Sequence, residues 1–420
     1  MNSALVILRR AAFIAAFALS LTTQSRAWLA GVGLGEVMGS VFIALALAQP
    51  GNLQPRVKLA LAIFVAGFLV GATVNQFTGI SHQFVLRDLF ALCFAMVFAT
   101  CAVTYLRNEA QAVVTLGVAL TLAVFVQCIP LLLLLGGIES NAWLTDSEEA
   151  GIPFLSRYIG FSDNPNQLGV LLCAYPFAAI AAVAEAQGRL RRATLVVGLL
   201  AGLLLAVLAR SNTVFAAYIL GATLWAVMRL NRWGGSSARG TDLWRVSLTL
   251  LLCIVAVGGF AFFAGESIDK TGDADANGRF QRWQNAIEGI VESGLLGVGP
   301  GGQSGEKVPF DGEEAHNFLL DVALQGGALS LVAYVALVFG AGLRIFRLRS
   351  LSGACLLAAV LTQQFAHYTA RQPIAWVYVL FPYGLVGAGR RAPRTNLAPM
   401  VVPTGGKTPP QWPTPVTPSL

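Results

Sequence analysis

The 420 residues are 56% hydrophobic and only 12% charged, with a mean hydropathy of +0.67. An ordinary soluble domain is excluded, because too little polar surface would remain to meet water. The formal net charge of +7 does not point to nucleic acid, since no segment interleaves aromatic with basic side chains.

In chain order, the apolar stretches predict transmembrane helices at about 5–22, 27–49, 58–76, 85–106, 111–136, 167–187, 192–209, 213–230, 246–264, 317–342, 352–369 and 373–389. Barrel strands would alternate polar and apolar residues, whereas Leu195 to Leu208 is apolar on every face. Arg9-Arg10 ahead of Ala11 to Leu21, with Ser25-Arg26-Ala27 after it, has the form of a cleavable signal. The hydrophobic segments that follow favour a retained first helix. Six cysteines fall inside apolar stretches without C-x-x-C spacing and read as small core residues.

Lys and Arg collect on alternate connections: Arg9/Arg10, Arg56/Lys58, Arg107, Arg189/Arg191/Arg192, Arg229/Arg232/Arg239/Arg245, Arg344/Arg347/Arg349 and Arg390/Arg391/Arg394/Lys407. The positive-inside rule then puts both termini in the cytoplasm. Acidic residues gather on the other side, in 139–163 and in one long outward segment at 265–316. The expected organisation is an all-α polytopic membrane protein with about twelve transmembrane helices. Residues 1–154 form N-terminal membrane helices, 155–389 a membrane core that includes the outward segment, and 390–420 a disordered Pro-rich cytoplasmic tail.

Chemistry is expected where ionisable side chains or irregular backbone meet the membrane edge. Arg157 to Gly169 contains Asp163-Asn164-Pro165-Asn166, a capping side chain before proline, which starts a helix and aims its N-terminus outward. Such an end attracts anions, although on this motif alone a plain cap with an interfacial arginine is the favoured reading. Arg210-Ser211-Asn212 is a short polar break on the side where the positive-inside rule gives an arginine no reason to be. It answers either to an anionic partner or to snorkelling toward headgroups.

In the long segment, Phe280, Trp283, Ile287, Ile290 and Val291 recur at helical spacing and predict an amphipathic helix at the membrane surface. At 100° per residue Arg279 borders the apolar face, and Arg282 points nearly opposite. The run Gly294 to Lys307 lacks the P-loop order and reads as a tight turn rather than a phosphate nest. His316, close to Glu313 and Glu314, opens the next transmembrane helix together with Asn317. A lone histidine is more often structural than catalytic. Carboxylate neighbours on a rigid helix end would instead suit it to accept a proton near neutral pH.

Taken in order, Gly160-Phe-Ser-Asp-Asn-Pro-Asn166, Arg210-Ser211, Gly278-Arg279-Phe-Gln-Arg-Trp283, Gly297-Val-Gly299 and His316-Asn317 with Gly327 beyond resemble the O-antigen ligase and O-antigen polymerase superfamily. The resemblance covers about residues 155–330. It implies a C-type, metal-independent, inverting glycosyltransferase of the bacterial inner membrane with no cofactor. Its donor would be a glycan on undecaprenyl diphosphate, moved to a glycan or lipid acceptor on the periplasmic face. It implies His316 as the catalytic residue and Arg279, Arg210, Arg157 and Arg282 as ligands of the diphosphate, supported by Asn317, Glu314 and Asn166. A chain-length regulator and a flippase are its implied partners. One departure is Ser330, where ligases often carry Gly, Thr or Tyr, and it leans the reading toward a polymerase of O-antigen, capsule or exopolysaccharide. A secondary transporter or flippase shares the twelve-helix plan and would need buried charges along a path, for which Glu36, Arg87 and Asp88 are the candidates. A purely structural assembly protein would leave Arg279→Ala silent.

Overall fold

The computed structural model describes residues 3–27, 31–48, 53–78, 85–138, 141–145, 157–233, 273–301 and 314–385. Among them are twelve α-helices: α1 (Ser3–Leu19), α2 (Leu34–Leu47), α3 (Pro55–Thr78), α4 (Val85–Asn108), α5 (Ala112–Leu135), α6 (Pro165–Glu185), α7 (Arg189–Ala209), α8 (Asn212–Trp233), α9 (Asp273–Glu292), α10 (Phe318–Leu348), α11 (Leu351–Ala366) and α12 (Pro373–Gly384). The predicted helix at 246–264, the acidic loop residues 146–150 and the 390–420 tail lie outside the described residues.

Six helices, α3, α4, α5, α6, α7 and α10, are long and apolar enough to cross a bilayer. Three of the other described helices are shorter. With 14, 16 and 12 residues, α2, α11 and α12 rise only about 18–24 Å at 1.5 Å per residue, short of a hydrocarbon core of about 30 Å. The chain is nevertheless a multi-pass, all-helical membrane protein in composition and in architecture.

The connections sort into two groups by contact. In one, Arg10 reaches Glu109 and Thr115, and Arg191 donates to Gln111 at 3.0 Å. In the other, the Gln24 amide donates to the carbonyls of Ala142, Gly160 and Ser162, and Arg371 reaches Asp88.

Helices α3 and α10 pack closely. A Cβ on Gly67 would stand 2.2 Å from Ser330 Oγ, and one on Gly71 would stand 2.3 Å from the Gln325 carbonyl oxygen. Small residues four apart let two backbones approach this way. Ser330 is fully buried and donates to the Phe64 carbonyl at 2.7 Å. The residue at which the sequence departs from the ligases, Ser330, is therefore used in helix packing.

Helix α10 is broken at Gly327 (φ 67, ψ −173), a conformation open only to glycine. A break within a membrane helix frees backbone groups that need partners. The glycine turn after α9 supplies them. Val298 N–H donates to the Leu324 carbonyl at 2.7 Å, Gly299 N–H donates to that of Gln325 at 2.8 Å, and Ala328 N–H donates back to that of Leu295 at 2.8 Å. The run 294–301 is thus a turn stitched into α10, as its sequence suggested, and these two amides are occupied rather than turned toward an anion.

Candidate functional site

Local sequence accounts for where the first elements start. Asn164, not Asp163, is the N-cap of α6: its side chain accepts from Gln167 N–H at 2.9 Å, and Pro165 occupies the first helical position. Asn166 follows in the first turn, and its carbonyl accepts from the Gln363 amide at 3.4 Å. Arg157 lies on a two-residue strand, β2 (Arg157–Tyr158), paired antiparallel with β1 (Leu144–Thr145). Its Nε donates to the carbonyl of Ala209 at 3.3 Å, which sets it beside the α7–α8 break. Arg210, next in the chain, ends α7 in the left-handed conformation (φ 50). Arg349 does the same at the end of α10, so at Arg210 this geometry is a helix stop.

Helix α9 is present as predicted, with Trp283 and Ile290 packed against Ala286, Ala315 and Leu324. Arg282, Asn285 and Ala286 are buried, whereas Ile287 and Val291 are 52% and 67% exposed. The helical wheel placed Arg282 nearly opposite the apolar face. On a membrane protein the apolar face has a second home in lipid, and the polar face can turn toward the protein. Arg282 thereby becomes the inward arginine of α9. Arg279 lies in the first half of this helix, where only the backbone is described.

Trp283 fixes α9 to the histidine loop, its indole N–H donating to the Ala315 carbonyl at 3.0 Å. Its ring also meets Phe365 edge-on at 6.1 Å. His316 follows in a left-handed conformation (φ 56) that is uncommon outside glycine. The flanking amides of Ala315 and Asn317 donate to the two carboxylate oxygens of Asp321, at 2.9 and 3.2 Å. Asn317 caps α10, its side chain accepting from Leu319 and Leu320 N–H. Beneath the loop, Phe318, Tyr334, Trp376 and Phe64 form a buried aromatic floor.

The His316 ring stands 6.3 Å from that of His367, which ends α11. A 3.3 Å hydrogen bond joins His367 Nε2 to Thr213 Oγ1, three residues beyond Arg210. The end of α11 therefore ties together the start of α6 through Gln363, the start of α8 through His367, and the histidine loop. His316, Arg210, Arg157 and Asn166 are brought to one region by this connection.

The Glu314 carboxylate pairs with Arg371. Arg371 also holds Asp88, at 2.9 Å, and lies over the Tyr368 ring. Burial pushes the Glu314 carboxyl above the usual range, Arg371 pulls it back, and the nearby Asp88 charge adds to the upward push; the net direction is up. Sequence reading missed Arg371 and Asp321. The acidic Asp321 inside the apolar opening of α10 was the signal available for the second. The charges a transport path would use are engaged at helix ends, Glu36 with Arg26, and Arg87 and Asp88 in the cluster just described. Among the described residues no group of three or more His, Cys, Asp or Glu side chains is placed to hold a metal ion.

Residues 197–335 match the family model for O-antigen ligase. The match supports the O-antigen ligase and polymerase superfamily and indicates activity of that type. It spans α7 to the middle of α10, and so takes in Arg210, Arg279, Arg282, Glu314, His316 and Asn317. Arg157 and Asn166 lie ahead of it. No curated protein matches the chain.

Proposed function

We propose that this protein is a glycosyltransferase that moves an oligosaccharide from undecaprenyl diphosphate to a sugar hydroxyl on the periplasmic face of the bacterial inner membrane. It thereby polymerises repeat units or ligates finished chains to a lipid acceptor during surface-polysaccharide synthesis. The observation that carries the proposal is the constrained His316, set within the matched segment and beside His367.

In this reading His316 takes the proton of the acceptor hydroxyl as its oxygen forms the new bond to the anomeric carbon. The bond from that carbon to the diphosphate breaks, and the leaving polyprenyl diphosphate keeps the electron pair. Attack opposite the leaving group inverts the anomeric centre. Arg210, Arg279, Arg282 and Arg157 meet the charge that builds on the diphosphate, a task suited to guanidinium forks. A diphosphate is already a good leaving group, so the chemistry calls for neither nucleotide nor metal.

The null strain tests the proposal. A polymerase null should leave single repeat units on their acceptor, and a ligase null should leave full-length chains on the lipid carrier. Unchanged surface glycan would sink both.

A further inference from the structure

We infer that Asp321 is a positioning residue for the reaction: its carboxylate holds the His316 backbone in the conformation that presents the imidazole to the site. The inference rests on His316 acting as the base.

Asp321 is 0% exposed and lies in the opening turn of α10, after the loop it holds. One oxygen accepts from Ala315 N–H at 2.9 Å and the other from Asn317 N–H at 3.2 Å, so the two clamped amides bracket His316. The arrangement closes on itself, because Asp321 N–H donates to the Asn317 carbonyl at 2.9 Å. From the other side, the Trp283 indole holds the Ala315 carbonyl. The peptide groups next to His316 are thus fixed by α10 and by α9 together.

Two features make this more than a helix cap. The helix already has a cap in the Asn317 side chain, which serves Leu319 and Leu320. Further, the left-handed conformations at Arg210 and Arg349 close helices, where they are the ordinary stop, whereas that of His316 precedes one. Such a conformation persists where its surroundings over-determine it, and such places cluster at active sites. A carboxylate suits this task because both its oxygens accept. An amide of the same size offers one acceptor and would turn an NH2 donor toward a second N–H.

Asp321→Asn keeps the volume and removes one acceptor. Per folded molecule, counted from the monodisperse peak of the full-length protein, kcat should fall by about 100-fold, the cost of a small misplacement of a reacting group. KM for the lipid-linked donor should stay within about twofold, since Asp321 touches no substrate. A kcat close to that of the wild type, or a KM that rises in step with the loss, would overturn the inference. Should the variant fail to accumulate, the wild type decides. The amides of Ala315 and Asn317 should exchange with deuterium far more slowly than an open loop, and exchange at open-loop rates would overturn the clamp. His316→Ala in the same assay keeps the two claims apart. If it is fully active, the functional reading fails; if it is inactive while Asp321→Asn is not, only the clamp fails.

Discussion

Replacing His316 by alanine is expected to lower glycan transfer by about 100- to 10,000-fold, the range for removing a positioned general base. The protein should still reach the membrane at wild-type abundance, because the aromatic floor, the Asn317 cap and the Asp321 clamp do not depend on the imidazole. Alanine does remove a residue that tolerates φ 56, so part of any loss could come from the backbone. His316→Asn separates the two effects. Asparagine accepts the left-handed conformation readily but is no base, so its loss should match that of alanine. Polymer length on gels, with immunoblotting of membranes, makes the comparison. A His316→Asn strain with normal surface glycan would show that the histidine does no proton transfer.

The largest effect on stability is expected at Arg371. It holds Asp88 of α4 and Glu314 of the histidine loop from the α11–α12 turn, so Arg371→Met leaves the buried Asp88 and the partly buried Glu314 without their shared cation. Breaking a buried pair by removing one partner costs roughly 3–5 kcal/mol. The Arg371 side chain is 30% exposed, which puts the expected loss near the lower end, about 3 kcal/mol. The pH dependence has a definite sign. A carboxyl raised in the folded state contributes stability below its unfolded value and loses that contribution as pH climbs through the folded one. Arg371 is what pulls Glu314 downward, so without it the carboxyl rises further. The deficit of the variant should therefore open above pH 4.5, the ordinary glutamate value, and widen toward neutrality. Thermal unfolding of wild type and Arg371→Met at about pH 5 and about pH 7.5 measures it. A deficit that is equal at both, or smaller at the higher pH, would contradict the assignment.

Much of the fold and part of the site are legible in the sequence, and the division follows how far apart the partners lie. The Asn164 cap with Pro165, the amphipathic α9 and the opening of α10 at His316-Asn317 are signals within a few residues, and the structure contains all three. Where the helices end was not legible to the same degree. Apolar composition does not say where a helix stops, and α2 and α12 stop short. The burial of Arg282 was not legible, because periodicity shows that a helix has two faces without showing what packs against the polar one. Arg371 was missed because its partners lie 57 and 283 residues away, and it sits between two apolar helices with no local pattern. Asp321 was passed over for a related reason. Its partners are backbone amides, which every residue but proline carries, so no sequence motif marks them.

The central claim is that the protein itself makes the glycosidic bond. The most direct measurement uses purified full-length protein in proteoliposomes, given a polyprenyl-diphosphate-linked oligosaccharide and an acceptor glycan in the presence of a metal chelator. The account predicts glycan transfer with one polyprenyl diphosphate released for each bond formed, and no transfer by His316→Asn. Movement of the donor across the bilayer without transfer, or transfer by His316→Asn at the wild-type rate, would contradict it.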